Sequence, residues 1–118
     1  MDASITQRGS LVKVEVKAVD FLITSFNAIN CQNFSQQFPE ASVLVINKTS
    51  DLLAISQEIN LLKSDASTTA MNTRAQVTLH YLDGHTSTLC LSKFGMQQDG
   101  QNVTNNTKLR TLLGLTFP

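Results

Sequence analysis

The residues with which this sequence could do chemistry are few: His80, His85, Cys31, Cys90 and the arginine at position 74. A nucleophilic thiol needs an imidazole within hydrogen-bond reach, and a metal site needs at least three converging ligands. His80 and His85 straddle an Asp83-Gly84 turn signal and differ in parity, which speaks against a shared ion. Cys31 and Cys90 fit no zinc, thioredoxin or haem spacing, so they form either one disulfide or two free thiols. Free cysteine is among the most buried residue types, and two free, buried thiols are the expectation. The five glycines, Gly9, Gly84, Gly95, Gly100 and Gly114, are scattered rather than gathered into a phosphate-cradling turn. No cofactor or metal is expected, there is no Gly-x-Ser-x-Gly elbow, and no carboxylate is placed by local sequence to orient either histidine.

Arg74 stands between a polar stretch and the most regular strand pattern in the chain. One reading makes it a ligand for a carboxylate or phosphate; the commoner one is an ion pair closing a sheet edge, to Asp65 or Glu40. Arg74 and His80 are therefore the candidate ligand-binding residues, and no residue is assigned a catalytic role. Asn33, Asn47, Asn102 and Asn105 each open an Asn-x-Ser/Thr sequon. In a chain this rich in those residue types some arise by chance, and glycosylation is not expected.

The elements that must hold these side chains follow from periodicity. In Leu11 to Val19, Val12, Val14 and Val16 alternate with Lys13, Glu15 and Lys17, the pattern of an antiparallel strand with one face in the core. Cys31, Phe34 and Phe38 share one face of a short helix that Pro39 ends. Val43 to Ile46 reads as a second strand. Thr49, Ser50 and Asp51 then offer N-cap chemistry ahead of Leu52, Ile55, Ile59 and Leu62, the stripe of an amphipathic helix. That stripe is expected to cover Val12, Val14, Val16, Val77, Leu79 and Leu89. Ser64 to Thr73 is small, polar and aperiodic, and reads as a loop.

Ala75, Val77, Leu79 and Tyr81 alternate with Gln76, Thr78 and His80 before the turn. A two-residue turn at Asp83-Gly84 would pair odd positions with even ones and split the apolar sets. A three-residue loop, Leu82-Asp83-Gly84, with Gly84 at positive φ, pairs odd with odd, sets Leu89 and Leu91 opposite Val77 and Ala75, and sets His80 opposite Thr86. Cys90 then lies four positions from His80's partner, roughly 13 Å at about 3.3 Å per residue, so this hairpin forms no Cys-His pair. The second strand is expected to run from Leu89 to Met96, with Asp99-Gly100 turning it into a short edge strand at Gln101 to Thr104. Asn105, Asn106 or Thr107 caps a last helix in which Leu109, Leu112 and Leu113 share a face, and Gly114 stops it. The fold class that results is α+β, an antiparallel sheet of about four to five strands with helices packed on one face, in a single domain over residues 1–118.

Nine basic and nine acidic residues cancel, leaving no excess to track phosphates, so nucleic acid is not an expected partner. Apolar runs are too short for a transmembrane helix, and Met1 to Ser10 has neither a basic nor an apolar leader region. A soluble chain is expected, secreted or periplasmic if a signal peptide has been removed. Low charge also weakens repulsion between copies, which points to a homodimer formed through a sheet edge or the Thr-rich face of the hairpin. Lys13 and Lys17 would guard the N-terminal strand, leaving Gln101 to Thr104 as the contact.

The stretch from Asn72 to Tyr81, followed by Asp83-Gly84 and Thr88-Leu89-Cys90-Leu91, resembles small proteins of unknown activity from Bacteroidetes-type bacteria. In those an Asp-Thr-Arg entry leads into a strand-turn-strand ending in a Leu-Cys pair; here Asn72 replaces the Asp. The resemblance covers about the last half of the chain and implies a bacterial source and a secreted or periplasmic location, but no catalytic residue. The function expected is that of a non-catalytic interaction or accessory domain, with an unknown protein or a second copy as partner. The alternatives are a small hydrolase or transferase whose site gathers Arg74, His80 and a carboxylate, and an extracellular inhibitor or ligand carrier with a helix laid across a sheet.

Overall fold

Alternation along Leu11–Ala18 produces strand β1, and the sheet grows from it on both sides. A computed structural model describes residues 10–20, 28–65, 72–93 and 95–115. After β1 come helix α1 (Phe34–Gln37), strand β2 (Ser42–Ile46) and helix α2 (Thr49–Ile59). Strands β3 (Ala75–Tyr81), β4 (Thr86–Leu91), β5 (Met96–Gln98) and β6 (Gln101–Val103) follow, and helix α3 (Thr107–Leu112) ends the series. All strand pairs are antiparallel, in the order β2-β1-β3-β4-β5-β6.

Among the described residues the sheet thus has six strands, not the four to five expected. The extra one arises because Leu89 to Met96 is not one strand: Ser92 N–H donates to Gly95 O, Gly95 N–H donates back to the Ser92 hydroxyl, and the chain reverses into β5. A side-chain-closed turn of this kind leaves little trace in a hydropathy pattern. β5 and β6 are joined by Asp99-Gly100, both at positive φ (49° and 85°), the geometry of a two-residue hairpin matched to strand twist.

Between β3 and β4 the register is the expected one. Ala75 faces Leu91, Val77 faces Leu89 and His80 faces Thr86, around a three-residue loop with Gly84 at φ 91°. Odd positions of this hairpin consequently enter the same core as Val14 and Val16 of β1, which pair with Leu79 and Val77. Val12 does not join them. A bulge between Leu11 and Lys13 turns Leu11 inward and leaves Val12 41% exposed, because the extra residue inverts parity at the end of the strand.

Helix α2 lays Leu52, Ile55 and Ile59 on this face, with Leu62 packed at the margin, as the stripe requires. Its N-cap is Lys48, without a side-chain hydrogen bond; Thr49, Ser50 and Asp51 lie inside the helix rather than capping it. In α3 the expected cap does form: the Asn106 Oδ1 accepts from Leu109 N–H at 2.9 Å, Leu109 and Leu113 are fully buried, and Gly114 leaves the helix at φ 73°. Arg110, also buried, donates from Nε to Asn105 Oδ1 (2.6 Å) and from Nη2 to Gly95 O (2.7 Å), fastening α3 to the β4–β5 turn.

The two edges differ from expectation as well. β1, with Lys13 and Lys17, is an interior strand, and the edge it was expected to guard is occupied by β2. At the other edge, Ser64 bridges Val103, while Asp65 N–H donates to Asn102 O and Thr104 N–H to Lys63 O. The start of the Ser64 to Thr73 stretch therefore covers β6; residues 66–71 lie outside the described residues, as do 21–27. No helix among the described residues is long and apolar enough to cross a membrane.

Candidate functional site

The face of the sheet opposite α2 and α3 carries the polar positions: Lys13, Glu15 and Lys17 of β1, Gln76, Thr78 and His80 of β3, and Thr86, Thr88 and Cys90 of β4. Both candidate residues, Arg74 and His80, lie along this face, at opposite ends of β3. Six residues of extended chain separate them, roughly 20 Å at about 3.3 Å per residue. They do not form one site.

At the Arg74 end the face is covered. Cys31 and Cys90 are joined in a disulfide with Cα atoms 5.7 Å apart, which corrects the expectation of two free thiols. Cys90 is buried because the segment before β2 forms a second covering layer, so α1 lies on the face opposite the other two helices. Cys31, Phe34 and Phe38 do face the sheet together, but only Phe34–Gln37 is helical; Cys31 to Asn33 form a turn in which Asn30 and Asn33 exchange side-chain-to-backbone hydrogen bonds. Phe34 is fully buried, its ring 5.4 Å from that of Phe38. Gln76, opposite Cys90 in the sheet, donates from Nε2 to Cys31 O (3.0 Å) and accepts from the Ser35 hydroxyl (3.1 Å).

Arg74, only 4% exposed, donates from Nη1 to Asn72 Oδ1 and to Thr73 O, each at 2.9 Å, and its guanidinium sits 5.5 Å from the centre of the Phe38 ring. Burial pushes its pKa below the ordinary arginine value. Asn72 Oδ1 accepts from Ile29 N–H as well, at 2.9 Å. A single amide oxygen thus bridges Ile29 of the covering segment and Arg74. These contacts make Arg74 a brace between the covering segment and the start of β3.

The other end is open. Glu15 Oε1 lies 2.6 Å from His80 Nε2 and 3.9 Å from Lys13 Nζ, and the His80 and Glu15 side chains are about a third exposed. A carboxylate therefore does orient His80, and Asp83 hydrogen-bonds the ring of His85 in the same manner. Local sequence could not show the first pair, since Glu15 reaches His80 only because β1 and β3 are neighbours. A carboxylate–imidazole pair is one component of general-base chemistry. Cys90 is held in the disulfide at the far end, where it pairs with Gln76 rather than His80. Among the described residues no three His, Cys, Asp or Glu side chains gather as a metal site.

Of the four sequon asparagines, Asn33, Asn102 and Asn105 have their side-chain oxygens in hydrogen bonds, and Asn47 is exposed between β2 and α2. Comparison with protein-family models, with curated proteins and with solved structures returns no match for this chain.

Proposed function

We propose that this chain is a non-catalytic interaction domain that works in an oxidising compartment, secreted or periplasmic. The observation that carries the reading is the Cys31–Cys90 disulfide. Disulfides persist where the surroundings are oxidising and are rare where thioredoxin and glutathione keep thiols reduced. Here the bond fastens a thin cover to a sheet face that would otherwise stand open, which is a structural use rather than a redox-active one. The resemblance of the C-terminal half to small proteins of Bacteroidetes-type bacteria supports the same compartment and a bacterial source.

An interaction role is supported by how the sheet presents itself. The roughly 20 Å between Arg74 and His80 leaves the proposed hydrolase or transferase without a gathered site. What the described residues offer a partner is the Thr-rich, half-polar face around Thr78, Thr86 and Thr88, and the β2 edge. The partner is a protein or a second copy of the chain.

Thiol titration of the denatured, unreduced protein, recovered from fractionated cells of its natural source, tests the reading. The expected result is no reactive thiol and recovery from the envelope or medium. Two reactive thiols in a cytosolic fraction would overturn it.

A further inference from the structure

We infer that β2 is a self-pairing edge: two copies of the chain join antiparallel through Ser42–Ile46, with Leu44 on the two-fold axis. The inference rests on the reading of the chain as an interaction domain and names the surface and the partner. β2 is hydrogen-bonded to β1 on one side, and among the described residues no strand pairs with its other side. Its sequence, Ser-Val-Leu-Val-Ile, contains no charge, proline or glycine. Natural sheet edges are ordinarily protected by such residues, by bulges or by a covering segment. The β6 edge has its cover at Lys63 to Asp65; among the described residues no segment pairs with the outer side of β2, and Val43 (57%), Leu44 (51%) and Val45 (49%) are exposed.

The occupant follows from self-complementarity. The whole of β2 overlaps its own copy in one antiparallel register, the one that sets Leu44 against Leu44, Val43 against Val45 and Ser42 against Ile46. In that register even positions meet even positions, so the face carrying α2 and α3 in one copy continues into the same face of the other. Exposed Glu40, in the turn that leads into β2, and exposed Lys48, just ahead of α2, flank the strand with opposite charges, and antiparallel self-pairing sets the acidic end of each copy beside the basic end of the other. A shift in either direction shortens the overlap. The chain as a whole, with nine basic and nine acidic residues, adds no net repulsion to oppose the contact. An extended apolar strand of another protein would satisfy the backbone of β2, but only one with a basic and an acidic end of its own would match Glu40 and Lys48, as a second copy does.

Sedimentation equilibrium on the full disulfide-bonded chain tests the inference. The mass should rise from 12.9 kDa toward twice that value as concentration passes through roughly 10–100 µM, the range of a small, transient interface. Leu44→Lys places two like charges on the axis and should weaken association at least about tenfold. Leu82→Lys, at the exposed tip of the β3–β4 hairpin, should leave it unchanged. Because Leu44 lies beside Gly114, the second arm uses exposed residues alone. Glu40→Lys should weaken association about two- to fivefold, and the Glu40→Lys/Lys48→Glu double variant should restore it. A monomeric mass throughout, a dimer indifferent to Leu44→Lys, or a double variant no better than Glu40→Lys would overturn the inference. Any of these leaves the compartment reading standing, whereas reduced thiols in a cytosolic fraction sink that reading and leave the self-pairing intact.

Discussion

On one face of the sheet α2 and α3 set Leu52, Ile55, Ile59, Leu109 and Leu113 against Val14, Val16, Val77, Leu79, Leu89 and Leu91, whereas on the other the described part of the cover, a short and mostly irregular segment, brings down Ile29, Phe34 and part of Phe38. Each large apolar side chain buried contributes about 1.5–3 kcal/mol, so the helical face holds itself by area alone. Ordering a backbone residue costs about 1–2 kcal/mol, and the segment 28–41, with few apolar side chains buried, gains little by area to offset that. It is held instead by specific ties: the Cys31–Cys90 bond, the Gln76 contacts with Cys31 and Ser35, and Arg74 between Asn72, Thr73 and the Phe38 ring. A face secured by area tolerates small local losses, while a face secured by single ties depends on each of them.

Removing the covalent tie should show this contrast most strongly. Closing a loop across a sequence separation of 59 residues accounts for about 4 kcal/mol of stability in the chain-entropy picture. Cys31→Ser/Cys90→Ser should lose that amount in urea unfolding, and limited proteolysis should cut first within residues 30–41 while the α2 and α3 side stays protected. A loss below about 1 kcal/mol would mean that the polar ties suffice.

Ile55→Ala attacks the other face. Ile55 is fully buried, and a large-to-small change there should cost about 2–5 kcal/mol, centred near 3. The contrast lies in how the loss appears: the whole transition should move to lower denaturant, with no preferred cleavage in the disulfide-bound cover. Early cutting in that cover would show that the two faces are not held independently.

The smallest expected effect comes from Tyr81, which packs at the margin of the helical core and stacks on His85. Burial, and then the negative charge of Asp99, raise its phenol pKa above the ordinary value of 10.0. The unfolded chain therefore ionises first, and the native state keeps its proton longer. This contribution is fully present below the unfolded pKa and is lost as pH rises through the folded one. Between about pH 8 and pH 11, Tyr81→Phe should lose less stability than the unmodified protein, measured by urea titration at each pH. Equal losses in the two proteins would remove Tyr81 from the alkaline response.

Local patterns were enough for β1, the β3–β4 register, the Asp99-Gly100 turn, the α2 stripe and the Asn106 cap of α3, because period, parity and turn chemistry act over a few residues. They were not enough for the Val12 bulge or for the Ser92–Gly95 turn that splits the last strand. Strand order was also out of reach. The interior position of β1, the edge position of β2 and the meeting of Glu15 with His80 depend on which strands become neighbours, and pairing between distant segments is settled by how all the apolar faces pack at once. The disulfide belongs with these. By pattern Cys31 shares a helical face with Phe34 while Cys90 sits on the Thr-rich face of its strand, and only the fold of the segment before β2 back across β4 brings the two sulfurs together.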